Sequence, residues 1–360
     1  MNPFVPLILI GILVIIAGLL ALADLAIGGG GEKSLTINEK KKIEIKSPDT
    51  ILNTLNANKI FIPSACGGKA TCGFCKVKVI EGGGDLKPTE EPFINMEERE
   101  QGVRLSCQVR INGAVKIQVP EGMMEATEYK ARVEKITDLT YDIKLIRFKL
   151  IEPDTMFFKP GQYAQLRVPG IGVIRAYSIA SDRKDQHHIE LIIREVPKGQ
   201  ATSFVHKAME EGDNIFLTGP YGDFFLQEDS DKDIVCIAGG SGKAPIRSIL
   251  FALKDQGMKR KVKYFFGARS KRDLYMTEEF EALEKEFPNF EYIPALSDPV
   301  DEDKWEGEVG LITDVLDRNV DDLSKHEAYL CGSPGMIKAC INVLEKHDIK
   351  DENVYFDNFS

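Results

Sequence analysis

Ser64-Ala65-Cys66-Gly67-Gly68-Lys69-Ala70-Thr71-Cys72-Gly73-Phe74-Cys75 is the stretch on which the reading of this chain turns. Three cysteines fall within ten residues, and a fourth, Cys107, follows Cys75 after 31 intervening residues. Four thiolates in a three-plus-one arrangement are what a [2Fe–2S] cluster needs, and glycines let backbone N–H groups close around its sulfides. The spacing is C-x5-C-x2-C, one residue longer in the first gap than the plant-type pattern. Structural zinc uses two separated C-x2-C pairs or Cys/His pairs; here there is one pair, two outliers and no neighbouring histidine. A disulfide framework suits small secreted domains, not a 360-residue chain with three further scattered cysteines, Cys236, Cys331 and Cys340. Scattered free thiols point to reducing cytosol.

The length predicts two or three domains, and 43% hydrophobic with 28% charged residues is ordinary for globular protein. A formal net charge of −10 and the lack of a basic aromatic patch argue against a nucleic-acid partner. Residues 4–23 form an uncharged run, FVPLILIGILVIIAGLLALA. As a helix it would rise about 30 Å, the depth of a bilayer core. A secretory signal would be shorter, with a basic start and a cleavage site, and no Lys or Arg precedes this run. Lys33, Lys40, Lys41, Lys42 and Lys46 follow it, which places the remainder in the cytoplasm by the positive-inside rule. Asp24 reads as an interfacial carboxylate and the glycines at 28–31 as a tether.

Four segments follow: an anchor and tether over 1–30, and domains over 31–126, 127–228 and 229–360. In the second, alternation at Leu35, Ile37, Ile43 and Ile45 predicts paired strands turning at Asn38-Glu39, with a helix over 50–56 and strands over 75–79 and 115–119. That is a β-grasp ferredoxin pattern. In the third, alternating runs at 144–150, 164–168 and 189–194 predict a small antiparallel β-barrel. Within it, Arg175-Ala176-Tyr177-Ser178 offers a phosphate clamp, a ring to lie against a flavin and a hydroxyl for a ring nitrogen. The four-residue pattern alone is weak, and an ordinary strand is its bland reading. Gly199, Gln200, Ala201, Thr202 and Ser203 open a helix whose N–H groups and hydroxyls suit a pyrophosphate, or are capped in the ordinary way by Thr202 or Ser203.

The fourth segment alternates strand and helix, an α/β Rossmann-like order. The apolar strand 233–238 runs into Gly239-Gly240-Ser241-Gly242, and Pro245 opens a helix over 246–253. Strand, glycine loop and helix make a dinucleotide-type turn, although G-x-G-x-x-G is incomplete. Strands over 262–267 and 328–334 follow, the latter ending at Cys331-Gly332-Ser333-Pro334 before a helix over 335–347. In an open α/β sheet a ligand sits at the carboxyl ends of such strands. The five histidines show no ligand spacing and read as surface positions.

Together these motifs resemble the ferredoxin–NADP⁺ reductase superfamily fused to a [2Fe–2S] domain, over the whole chain. The resemblance implies that Cys66, Cys72, Cys75 and Cys107 ligate the cluster. It implies Arg175 on the FAD phosphates, Ala176 within that motif, Tyr177 stacked on the flavin, Ser178 near N5, and residues 199–203 at the pyrophosphate. Gly239, Gly240, Gly242 and Pro245 match the nicotinamide-nucleotide loop. Cys331 and Gly332 match a Cys-Gly-x-Pro element near the nicotinamide, and Phe359 matches a C-terminal aromatic covering the flavin. Lys243 stands where the family has an apolar residue. Arg269, Lys271 and Arg272 could hold a 2′-phosphate, yet NADH is favoured over NADPH. The activity implied is hydride transfer from NADH to FAD and single-electron transfer to the cluster. The setting implied is the inner membrane, among integral-membrane subunits of a quinone-reducing, Na⁺-translocating complex. An anchored reductase for an oxygenase or corrinoid protein is the alternative, and a tethered cluster carrier with a degenerate flavin domain is the third.

Overall fold

The computed structural model describes residues 14–16, 18, 33–64, 66–120 and 126–359. The apolar run at 4–23 and the glycine tether lie outside these apart from 14–16 and 18, which are helical. No helix among the described residues is long and apolar enough to cross a membrane. The chain divides into two compact units, residues 1–62 with 68–124, and residues 63–67 with 125–360.

The first unit is a five-stranded sheet of order β2-β1-β5-β3-β4, formed by β1 (Ser34–Ile37), β2 (Lys41–Glu44), β3 (Lys76–Glu81), β4 (Val103–Leu105) and β5 (Ala114–Gln118). Asn38 and Glu39 both take positive φ, 50° and 57°, within the three-residue turn 38–40 that joins the two strands. Thr50 accepts from the Asn53 N–H and caps the helix Ile51–Ala57, which lays Ile51, Leu52 and Leu55 on the sheet. β1 pairs parallel with β5, with Leu35 opposite Val115 and Ile37 opposite Ile117, so alternate residues of both strands enter one core.

The second unit carries two sheets. An antiparallel sheet of order β10-β7-β6-β11-β8-β9 comprises β6 (Thr127–Asp138), β7 (Ile143–Glu152), β8 (Tyr163–Arg167), β9 (Ile174–Ser178), β10 (His188–Arg194) and β11 (Asn214–Tyr221). Ile179, one residue past β9, bridges Leu191 of β10, so the two edge strands meet and the sheet curls shut. A parallel sheet of order β15-β14-β13-β12-β16-β17 comprises β12 (Asp233–Gly239), β13 (Val262–Ala268), β14 (Phe290–Leu296), β15 (Glu308–Val309), β16 (His326–Gly332) and β17 (Val354–Asn358). Strands on either side of β12 come from opposite directions in sequence, so the order reverses between β12 and β16. Both central strands are apolar runs buried along their length, as helices on the two faces require.

Several boundaries differ from the sequence expectation. The helix after the glycine loop begins at Lys243, two residues before Pro245. A proline fits there because N–H groups of the first turn have no helical partner to lose. The sequence expectation lacks β4, β6, β11, β14, β15 and β17, while β9 takes the bland strand reading of residues 175–178. Four of the five histidines are half-buried rather than on the surface; His206, for example, meets the Ile193 carbonyl at 3.1 Å.

Within the second unit, one guanidinium joins the barrel to the parallel sheet's helices. Arg247 donates to Glu190 of β10 at 2.7 Å, to the Ala180 carbonyl at 2.8 Å and to Glu279 at 2.8 Å. Removing one partner of a buried, fully paired set leaves charge without compensation. Arg247→Ala is expected to cost the second unit about 3 kcal/mol, read as a lower denaturant midpoint.

Candidate functional site

The cysteine loop curls through repeated positive φ: 64° at Gly67, 87° at Gly68, 55° at Ala70 and 71° at Gly73. At Gly73 a Cβ would sit 2.7 Å from the Phe93 ring, so only glycine fits this bend. Cys66, Cys75 and Cys107 are buried and Cys72 is half-buried. Cys75 and Cys107 hydrogen-bond through their sulfurs, and the Ser106 N–H donates to the Cys75 carbonyl at 2.8 Å. Donation to Cys107 and burial hold the Cys75 thiol protonated. The same bond from Cys75, helped by Gln108, favours the Cys107 thiolate. Among the described residues no three His, Cys, Asp or Glu side chains gather around one point. A binuclear cluster instead takes two thiolates on each iron, and the adjacent Cys75 and Cys107 sulfurs fit the demand of one iron.

In the second unit the barrel strand β9 carries the flavin motif. Tyr177 Oη is buried without a hydrogen-bond partner among the described residues, and burial pushes the hydroxyl up to about 12. A buried polar atom left open in this way fits a bound polar ring edge. Arg175 is exposed and donates to the Ile174 carbonyl at 2.7 Å. Gly199 caps the helix Gln200–Lys207 without any side-chain bond, leaving first-turn N–H groups for an anion. Thr202 takes no part in this, because its hydroxyl accepts from the Val196 N–H at 3.1 Å and donates back to the Val196 carbonyl at 3.2 Å.

The glycine turn lies at the sheet's reversal point. Gly240 has φ 56°, and a Cβ on Gly242 would stand 2.2 Å from the Cys331 carbonyl oxygen. The turn thus rests directly on the end of β16. A cleft of about 330 Å³ opens beside it, lined by Tyr141, Arg194, Gly240, Gly267, Arg272 and Met336 among others. Cations around the cleft are engaged: Arg194 with Asp142 at 2.7 Å, Arg269 with Asp298 at 3.1 Å, Lys271 with the Asp303 carbonyl at 2.9 Å, and Arg272 over the Tyr141 ring at 4.7 Å. Lys243 is fully buried. Burial drives its pKa down, while its Nζ donates to the Tyr275 carbonyl at 2.6 Å and lies 3.7 Å from the Phe266 ring centroid. Its stem fills an apolar site and its head finds a carbonyl and ring faces, which reconciles lysine with the apolar residue expected at this position.

β17 brings the catalytic candidates together. It runs parallel to β16 with Asp357 opposite Cys331, and the Phe359 N–H donates to the Gly332 carbonyl at 2.9 Å. Ser178 Oγ donates to Asp357 Oδ2 at 3.4 Å. Cys331 is fully buried, and burial raises its thiol well above the usual range. Asp357 was absent from the sequence expectation. Its only available signal was a carboxylate two residues before Phe359 in a terminal stretch with no alternation.

Burial pushes the Asp357 carboxyl up to about 6. A carboxyl with a raised folded pKa binds its proton more tightly when folded, so stability falls as pH rises from the unfolded value near 4 through 6, and is flat above. Asp357→Asn is therefore expected to stabilise the second unit by about 3 kcal/mol at pH 8. Thermal melts across pH should show that gain vanishing below pH 4.

Family descriptions match all three segments: a 2Fe-2S iron–sulfur cluster binding domain over residues 35–112, an oxidoreductase FAD-binding domain over 130–226 and an oxidoreductase NAD-binding domain over 236–341. The chain is thus a flavin- and iron–sulfur-dependent NADH oxidoreductase using a [2Fe–2S] cluster and FAD. Among solved structures it is similar to the Amycolatopsis cytochrome P450 reductase GcoB, at TM-score 0.75 and 28% identity, covering 91% of this chain and 98% of that one. The ferredoxin reductase in carbazole 1,9a-dioxygenase follows at TM-score 0.72 and 26% identity, with the same coverage. Among curated proteins, the F subunit of the Na(+)-translocating NADH-quinone reductase of Neisseria gonorrhoeae is 34% identical over 91% of this chain and 92% of its own length. That of Histophilus somni is 34% identical over 97% of each. On that breadth of identity, the chain belongs to the family of Na(+)-translocating NADH-quinone reductase F subunits.

Proposed function

We propose that this chain is the membrane-anchored electron-input component of a quinone-reducing, Na⁺-translocating complex, held by one helix over 4–23 with its catalytic domains in the cytoplasm at the inner membrane. The observation that carries the chemistry is the convergence of Ser178, Asp357 and the end of β16 beside the glycine turn. Identity spread across nearly the whole length of the F subunits supports the setting, as does the uncharged run at 4–23.

A bound FAD would supply acceptance of a hydride from NADH and donation of single electrons to the cluster, which nicotinamide alone cannot do. Tyr177 offers its ring and open hydroxyl to the flavin, Arg175 and the first turn after Gly199 hold phosphates, and Ser178 orients the flavin's reacting edge. Gly239, Gly240 and Gly242, with the helix that includes Pro245, seat the dinucleotide phosphates. The cleft's arginines are already bonded to Asp142 and Asp298 or stacked on Tyr141, which favours NADH over a substrate carrying a further phosphate. Phe359, half-buried beside Gly332, covers the flavin side until nicotinamide enters. Cys331 shapes the floor beneath the nicotinamide from within the core. Cys66, Cys72, Cys75 and Cys107 hold the cluster. A tether to the membrane keeps that cluster at high effective concentration near integral-membrane partner subunits.

The fold shared with the P450 and dioxygenase reductases favours a second reading, an anchored reductase for an oxygenase-type acceptor. Anaerobic NADH titration of the detergent-solubilised chain, followed by visible and EPR spectra, tests the chemistry. Flavin bleaching with a reduced [2Fe–2S] signal is expected, and absence of flavin would overturn it. Copurification with quinone-reductase subunits supports the first setting, and its absence beside oxygenase components the second. Tyr177→Ala is expected to lose bound FAD at least tenfold faster on dilution, equivalent to about 1.4 kcal/mol of binding, measured by flavin fluorescence.

A further inference from the structure

Two groups of residues brace Cys107 in a way the reaction outlined above does not use. Glu90 and Arg104 form a buried ion pair in which all five guanidinium N–H groups are spent. Nε and Nη2 donate to Glu90 at 3.0 and 2.6 Å, Nη1 to the Gly83 and Gly84 carbonyls at 3.1 and 2.8 Å, and Nη2 also to the Asp85 carbonyl at 2.8 Å. Glu90 also accepts from the Leu105 N–H at 2.9 Å and from the Lys87 N–H at 3.0 Å. A guanidinium so saturated has nothing left for a ligand; it is a clamp on the turn that leads into Cys107.

Beyond that turn, the Gln108 amide nitrogen lies 3.3 Å from the Cys107 carbonyl and 3.5 Å from its Sγ. Its amide oxygen accepts from the Thr89 hydroxyl at 2.9 Å, and Lys87 Nζ donates to the Gln108 carbonyl. The Cys107 carbonyl can only accept, so the nitrogen end of the amide must face it and the oxygen end must face Thr89. That orientation aims an N–H at the sulfur.

We propose that Gln108 is a positioning residue for the cluster: Thr89 and the Glu90–Arg104 clamp fix its amide, whose N–H to Cys107 Sγ raises the cluster's electron affinity. This rests on the reading of Cys107 as a ligand. An N–H aimed at a thiolate stabilises the more electron-rich form, so hydrogen bonds to the sulfurs set how readily such a cluster is reduced. Gln108→Leu keeps the bulk and removes the donor. Thr89→Val keeps the donor and frees it to turn away.

The test is an EPR-monitored redox titration of the full chain, poised with dithionite and mediators so that neither NADH nor the flavin is needed. At the wild-type midpoint, Gln108→Leu is expected to lower the reduced-to-oxidised ratio at least threefold, about 28 mV at 59 mV per decade for one electron. Thr89→Val should shift it the same way by less, and the rate of flavin bleaching by NADH should stay unchanged in both. A Gln108→Leu cluster of full content with a wild-type ratio overturns the proposal. Should Gln108→Leu hold no cluster, Thr89→Val decides: a lowered ratio supports the role of Gln108, and a wild-type ratio overturns it. Loss of NADH-driven bleaching in the wild type, with the titration result intact, would instead sink the reductase reading alone.

Discussion

At Gly242 the dinucleotide turn has no room for a single additional carbon, because the Cys331 carbonyl lies where it would go. That contact presses the end of β12 onto the end of β16 at the reversal point of the sheet. Much of the site follows from it. A cleft opens beside the turn, and the Cys331 side chain lies in the core. β17 then pairs with β16 and carries Asp357 and Phe359 to the same place. Ser178 arrives from the barrel and closes the group through Asp357. Residues from three distant parts of the chain meet because two strand ends are held in contact.

The rigidity of this arrangement comes from polar groups that burial makes expensive to leave unpaired. Arg247 ties β10 to two helices of the parallel sheet, so barrel and sheet share a core that includes Ile143, Ala180 and Ile192. In the first unit the Glu90–Arg104 pair holds the turn before Cys107 in a comparable way. Ion pairs like these add little net stability compared with apolar residues of the same size, but each admits only one geometry. Lys243 is the variant case, a fully buried amine settled on ring faces and the Tyr275 carbonyl.

What was legible in the sequence was whatever declares itself locally. Cysteine spacing, the glycine turn after an apolar strand and the Asn38-Glu39 hairpin each need particular residues at fixed short offsets, and the fold agrees with them. Strand edges such as β15 and β17 were not legible, because pairing with a neighbour holds them, not alternation. Thr202 illustrates the same limit: its type suits a phosphate, but the loop at Val196 takes its hydroxyl first. Asp357 and Gln108 gain their significance only from partners far away in sequence or from the direction an amide faces. No local pattern marks either one.

The central claim is that electrons pass in sequence from NADH through the flavin to the cluster within this one chain. Rapid mixing with NADH deuterated at the transferred position tests it most directly, with flavin absorbance and cluster EPR followed in the same samples. The account expects deuterium to slow flavin bleaching and to delay the cluster signal by the same factor, since the cluster can be reduced only after the hydride has moved. Cluster reduction that ignores the deuterium, or that precedes bleaching, would contradict it.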